Sequence, residues 1–369
     1  AGAAFEIYDP DGKLVEMTTT YPQPETWSRF VTNDGGWLIT PEMLPYGKGY
    51  SLVEVQAPHG YVLASEPVHF DVTAENAESD DGITLVIAEK PNTPQKGKIR
   101  IVKTGEAFAS VTEKDGRYTP VYGESGLAGA KFEIRAAKDV FTPDGTLRYA
   151  KGDVVDTLTT AADGTAESRE LYLGKYEIRE TKAPYGMVRD DSVLTAELVY
   201  AGQEISVTGT SVAVVNERQK VEVKLYKDLE KDELFRIGSG DEILHVYFAL
   251  YAAEELTAAD GFVIPADGLI EIAGVQADGT LVFASDLPIG SYVVKEYAVD
   301  APYLISEEIY PITFTYEDDT TAVVRIEVNN GEAIQNRIIR GSITGIKVDE
   351  QGEPLPGAVF GLFRADCTD

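Results

Sequence analysis

Three residue types recur in register along this chain. A lysine ends an alternating apolar stretch, a glutamate sits on the apolar face of a second, and an asparagine follows a third. The lysines close Ile99-Arg-Ile101-Val-Lys103, Val223-Lys-Leu225-Tyr-Lys227 and Ile343-Thr-Gly-Ile346-Lys347. The glutamates are Glu54, Glu180 and Glu296, and the asparagines Asn92, Asn216 and Asn336. Each asparagine precedes the next lysine by 11 positions, and glutamate-to-asparagine distances are 38, 36 and 40. The intervening loops change length while the polar positions keep station.

These types permit one particular reaction if a fold buries them together. Burial disfavours charge, so a lysine amine tends to shed its proton and a carboxyl tends to keep one. A neutral amine is a nucleophile. An asparagine carboxamide becomes an electrophile once its oxygen receives a hydrogen bond, which a protonated glutamate can supply before passing a proton to departing ammonia. Fixed contact replaces the entropic barrier. The product is a Lys–Asn isopeptide bond, made once and kept.

The elements that must position these residues are short strands. Each glutamate lies in a period-two pattern: Tyr176-Glu-Ile178-Arg-Glu180, Tyr50-Ser-Leu52-Val-Glu54 and Tyr292-Val-Val294-Lys-Glu296. Such a pattern puts the acid on the face of its apolar neighbours, where an unpartnered carboxylate is costly. An Ala-Pro turn follows each time, at Ala57-Pro58, Ala183-Pro184 and Ala301-Pro302. Hairpin turns precede them at Asn33-Asp34-Gly35, Asp163-Gly164-Thr165 and Asp278-Gly279-Thr280. Aromatic strands begin each unit at Phe5, Phe132 and Phe248, with a further one at Phe360. Sustained helical periodicity is missing. Short strands at regular spacing predict an all-β chain of tandem antiparallel sandwiches arranged as a rod. The expected boundaries are 1–95 (lacking its first strand), 96–218, 219–340, and 341–369 as the opening strands of a fourth unit.

Composition narrows the class. The 369 residues carry a formal net charge of −30, which repels phosphate and argues against nucleic acid. It suits a dispersed secreted or surface protein. The single cysteine, Cys367, excludes a disulfide framework within the chain. Neither a signal peptide nor a run of 18 apolar residues is present. No cofactor or metal is called for.

The Tyr-x-Ile-x-Glu-Thr-x-Ala-Pro-x-Gly phrase at Tyr176–Gly186 resembles the glutamate box of Cna-B type, SpaA-like (prealbumin-like) domains. These build Gram-positive surface adhesins and sortase-assembled pilins, and the resemblance extends over the chain. It implies a Lys103–Asn216 bond with Glu180 as proton shuttle, and a Lys227–Asn336 bond with Glu296 as shuttle. Glu54 and Asn92 would have their lysine before Ala1, and Lys347 its glutamate and asparagine beyond Asp369. In the third unit the box is lengthened by two residues, Lys224 competes with Lys227, and Asn329 and Asn330 compete with Asn336. The implied role is a stalk or shaft segment of an extracellular, cell-wall-anchored protein. Its partners would be neighbouring domains, other pilin subunits, or a host matrix protein or glycan.

Competing readings are weaker. A buried ion pair that never condenses would add modest stability. A glycosidase needs two carboxylates across one cleft, whereas these recur once per unit. His59, His69 and His245 lack metal spacing. Asp9-Pro-Asp-Gly lacks the further acids of a calcium loop. The rival function is a ligand-binding adhesin module using the aromatic-bearing loops Tyr21–Trp37 and Phe141–Tyr149. Exposed Trp27 and Trp37 would favour binding, and buried ones the stalk.

Overall fold

A computed structural model describes residues 1–73 and 86–363. Cys367 lies outside the described residues. Among the described residues the chain is all-β apart from two short 3-10 turns, Glu242–His245 and Val328–Gly331. Three hydrophobic cores follow one another along it, the first around Phe5 and Tyr50, the second around Ile101 and Tyr176, the third around Leu225 and Tyr292.

The same four-stranded antiparallel sheet covers each core. In the first unit its order is Phe30–Val31, Ala4–Tyr8, Gly47–Gln56, Val68–Val72. In the second it is Val154–Thr159, Lys131–Ala136, Gly174–Lys182, Val193–Leu198. In the third the four strands are Leu269–Gly274, Tyr247–Ala252, Gly290–Ala298 and Ile309–Phe314, and a Leu269–Arg117 pairing joins them to Arg117–Gly126 of the second unit in one nine-stranded sheet. The aromatic strand and the glutamate strand are always the central pair. Backbone groups there are satisfied on both sides, so the side chains alternate cleanly between core and exterior. The leading tyrosines tuck their rings into the cores and donate their hydroxyls to nearby carbonyls, Tyr176 to Tyr172 and Tyr292 to Pro288 at 2.5 Å and Tyr50 to Pro45 at 3.0 Å.

The opposite sheet of the second unit is built on Lys96–Lys114, which runs parallel to Val207–Asn216 and antiparallel to Thr165–Glu167. The third unit repeats this with Lys220–Leu229, parallel to Val323–Glu327 and Ile334–Asn336 and antiparallel to Thr280–Val282. The first and last strands of each sandwich therefore lie side by side.

Residues 341–363 follow the third sandwich along the chain. Among the described residues there they form no strand, only a Val348–Pro354 bridge around a turn organised by the Asp349 carboxylate. Ile343, Ile346, Val359 and Phe360 are exposed. A strand needs neighbours for its backbone groups and its apolar face. In the second and third units the corresponding segment has an asparagine strand beside it; here it has none among the described residues.

One element had no counterpart in the expected pattern. The lysine strand of the second unit runs on past Lys103 into a long hairpin with Arg117–Gly126. The hairpin leaves its own unit and touches the third. Phe108, Val111 and Tyr118 pack on the third core, and Phe108 and Ala109 carbonyls accept from Ala259 and Asp260 N–H groups. Arg218, in the connection between the units, lies 3.7 Å over the Tyr122 ring and pairs with Glu106 and Asp286. The insertion after Lys227 instead folds back on its own unit, where Glu230 accepts from the Ile338 N–H and pairs with Arg340.

Candidate functional site

Alternation on the lysine strand decides what enters the core. Ile99, Ile101 and Lys103 share the buried face, as do Val223, Leu225, Lys227 and Leu229. Lys224 falls on the other face, with its ammonium 4.7 Å over the Tyr226 ring. Lys103 has no exposed side-chain surface. The parallel register sets Lys103 opposite Val214 and Lys227 opposite Ile334, so in both units the asparagine lies two residues further along the partner strand. Asn216 and Asn336 are buried there. The rivals Asn329 and Asn330 sit in the Val328–Gly331 turn with positive φ, and Asn329 donates to the Glu332 carbonyl.

The glutamate arrives from the facing sheet. Glu54, Glu180 and Glu296 pair across the ladder with Phe5, Phe132 and Phe248, each next to a β-bulge. A bulge leaves one residue unpaired and re-aims its neighbours. One oxygen of each carboxylate is used identically. Glu180 Oε2 accepts from Asn216 Nδ2 and from the Asp190 N–H, both at 2.8 Å. Glu296 Oε2 accepts from Asn336 Nδ2 at 2.8 Å and the Ser306 N–H at 2.6 Å. Glu54 Oε2 accepts from Asn92 Nδ2 at 2.7 Å and the Ala64 N–H at 2.8 Å. The second N–H of each asparagine amide goes to a carbonyl eight residues after the glutamate, that of Val62, Val188 or Leu304.

The other carboxylate oxygen separates the three units. Glu180 Oε1 lies 3.5 Å from Lys103 Nζ, longer than a strong charge-assisted bond. Glu296 Oε1 has no hydrogen-bond partner, and Lys227 Nζ donates to the Asp228 and Ile334 carbonyls at 2.8 Å. Glu54 Oε1 is buried and also unpartnered. Burial pulls the amines of both lysines below the usual ammonium range, against the opposing pull of Glu180 or Glu296, and Lys227 reaches about 8. A neutral Lys227 has two N–H bonds, and the two carbonyls occupy both, which leaves its lone pair free. The carbonyl oxygens Asn216 Oδ1 and Asn336 Oδ1 are buried without a donor. The second and third sites thus each join an amine of lowered basicity, an amide whose nitrogen is held by a carboxyl, and an amide oxygen open to a proton.

Residues 1–84 and 119–212 match the family model described as the SpaA prealbumin-like fold domain. Those two segments are of the SpaA prealbumin-like type. Among solved structures, the Bacillus anthracis TIE protein is similar at 21% identity with a TM-score of 0.51, over 91% of this chain. The chain spans 47% of that protein's length, and the likeness is one of fold. The major pilin subunit BcpA of Bacillus cereus aligns at 16% identity over 92% of this chain and 95% of its own, with a TM-score of 0.29. The minor pilin of Streptococcus agalactiae aligns at 17% identity over 68% of this chain and 100% of its own, with a TM-score of 0.23. No curated protein matches. Among the described residues no helix is long and apolar enough to cross a membrane.

Two sets of residues that position these sites were not among the sequence candidates. One is the segment after the Ala-Pro turn, whose backbone holds both the asparagine and the glutamate; equal offsets of eight and ten residues from each glutamate were the available signal. The other is Gln95 and Gln219, each three residues after an asparagine and both buried. Gln219 donates to the Asp318 and Thr321 carbonyls and accepts from the Glu317 N–H, and Gln95 makes the matching contacts to Gly202, Ile205 and Ala201. They fasten each connection into the unit that follows. The tryptophans proved solvent-facing: Trp37 is 62% exposed and Trp27 39%.

Proposed function

We propose that this chain is a stalk or shaft segment of a bacterial cell-surface protein, an adhesin or pilin, held by Lys103–Asn216 and Lys227–Asn336 isopeptide bonds. Its domains would be 1–95, 96–218, 219–340, and a fourth beginning at 341. The observation that carries this reading is the repeated carboxyl bound to the asparagine nitrogen beside a buried lysine, on two strands that run parallel. In the reaction the lysine nitrogen attacks the asparagine Cγ, and the Cγ–Nδ2 bond breaks. One lysine proton passes through the glutamate to Nδ2, which leaves as ammonia. A force pulling on the two ends would then pass from lysine to asparagine without peeling the sheet. Closing a loop of this size should stabilise by about 4–5 kcal/mol on the chain-entropy account used for disulfides. Extracellular placement, a cell-wall anchor outside this segment, and neighbouring pilin subunits as partners belong to the same proposal.

Intact mass tests it. The chain should weigh two ammonia molecules less than its sequence, and Glu180→Ala and Glu296→Ala should each restore one. A full unmodified mass would leave ordinary sandwiches with buried polar pairs.

Exposure favours a second reading for the first unit. Tyr21, Trp37 and Tyr46 all face solvent there, as Phe141 does in the second. Rigid exposed aromatics are suited to gripping a host protein or glycan. Trp37→Ala would abolish binding to immobilised matrix protein or a glycan array if this surface is the adhesive one, and leave it unchanged if the chain is stalk alone.

A further inference from the structure

The segment after each Ala-Pro turn is read from two sides at once. In the second unit the Val188 N–H donates to the Glu217 carbonyl, and the Val188 carbonyl accepts from Asn216 Nδ2. Two residues on, the Asp190 N–H donates to Glu180 Oε2. Between them the Arg189 N–H points the other way and donates to the Asp319 carbonyl of the third unit at 2.7 Å. Extended backbone alternates its direction in this manner. The Asp319 carboxylate also accepts from the Ala183 N–H at 3.1 Å, three residues after Glu180, and lies 3.7 Å from the Arg189 guanidinium. Asp319 therefore holds both ends of the loop that links the catalytic carboxyl to the groups aligning it.

The joint before it is built alike. The Val62 carbonyl accepts from Asn92, the Ala64 N–H donates to Glu54, and the Leu63 N–H between them donates to the Gln203 carbonyl of the second unit at 2.9 Å. The Gln203 side chain accepts from the Ala57 N–H at 2.9 Å, as Asp319 does from Ala183. Gln203 and Asp319 each lie 23 residues after the glutamate of their own unit. Two different side chains thus make the same paired contact in the same place.

We infer that Asp319 is a positioning residue for the Lys103–Asn216 crosslink of the preceding domain, and that Gln203 holds the Glu54–Asn92 pair in the same way. The site of one unit is completed by its neighbour. Docking of the following unit fixes the loop that aligns the carboxyl and the leaving nitrogen, so closure in one unit waits on folding of the next. The chemistry is unchanged: amine plus carboxamide gives the substituted amide and ammonia, and the carboxyl ends as it began. The inference rests on the isopeptide reading.

The test uses the full chain made by cell-free translation and sampled over time by intact mass, with peptide mapping to assign each bond. In Asp319→Ala, closure of Lys103–Asn216 should slow about tenfold, the scale of one lost hydrogen bond at an aligned site. The Lys227–Asn336 bond should close on schedule, which shows that the third unit has folded. Asp319→Asn, which keeps an acceptor for Ala183, should restore most of the rate. Unchanged closure in Asp319→Ala overturns the inference. Equal slowing of both bonds without rescue by Asp319→Asn also overturns it, since that is general damage to folding. If the unmutated chain loses no ammonia at either site, the crosslinking reading itself fails.

Discussion

Phe132 lies directly across the ladder from Glu180, and its ring is buried beside the carboxyl. The same aromatic faces the same acid as Phe5–Glu54 and Phe248–Glu296. A benzyl group in that position excludes water, and exclusion of water favours the neutral form of a buried amine.

Phe132→Ala should destabilise the second unit by roughly 3–5 kcal/mol, because a large buried ring is removed. It should also slow Lys103–Asn216 closure while leaving the third unit on time. Urea titration and peptide-resolved mass spectrometry read the two effects. Normal closure in a folded Phe132→Ala chain would remove the shielding role.

Proton release from Lys227 sets a pH dependence with a definite sign. Burial lowers its amine from 10.5 to about 8 in the native chain. The folded value lies below the unfolded one, so between them the unfolded state holds more protons. Stability of the unreacted third unit therefore rises from about pH 8 to about pH 10.5, by roughly 3 kcal/mol, and is lowest below pH 8. Asn336→Ala, which cannot close, should show this rise; the same chain with Lys227→Met added should lack it. Closure in the unmutated chain should quicken up to about pH 8 and then level off.

The Asp-Gly turns press on the lysine strand. A Cβ on Gly164, whose φ is +78°, would stand 2.2 Å from the Lys103 carbonyl, and one on Gly279 2.6 Å from that of Lys227. Gly164→Ala should cost at least roughly 2 kcal/mol from strain and collision together, and should displace Lys103 enough to slow its bond. Gly145→Ala, at φ +80° but with open space around it, supplies the control with conformational strain alone. Equal losses in the two variants would mean that the contact with Lys103 is unimportant.

Arg218 is buried against the half-buried Tyr122 ring, and desolvation lifts the tyrosine hydroxyl to about 12. A desolvated cation–π pair of this kind is worth about 2 kcal/mol. Arg218→Ala should release the 106–122 hairpin from the third unit, seen as faster amide hydrogen exchange there with both cores still protected. Unchanged exchange would show that the apolar contacts of Phe108, Val111 and Tyr118 suffice.

Local alternation made much of this legible beforehand. Ile99-Arg-Ile101-Val-Lys103 points its lysine inward because period two leaves no other choice, and Leu225 does the same for Lys227 over Lys224. The invariant interval of 11 residues between Asn216 and Lys227 became one connection plus one strand. The long hairpin beyond Lys103 was not legible, because its polar, alternating stretch reads as a loop until the third core supplies a surface for Phe108 and Tyr118. Nor were the roles of Gln219 and Asp319, whose hydrogen-bond partners are backbone groups far away in the sequence and leave no mark in side-chain pattern.

The hairpin begins at the residue after Lys103, and the third unit's extra segment begins three residues after Lys227. With the bonds closed, tension in a stretched chain travels along the short links between each asparagine and the next lysine, and residues 104–215 and 228–335 are slack. At about 3.3–3.6 Å per residue, an 11-residue link reaches no more than roughly 40 Å. Length added inside the slack intervals leaves the extensibility of the whole unaltered, whereas length added between Asn216 and Lys227 lengthens it directly. In the proposed stalk, loops could therefore grow inside the slack intervals without lengthening the path that carries the load.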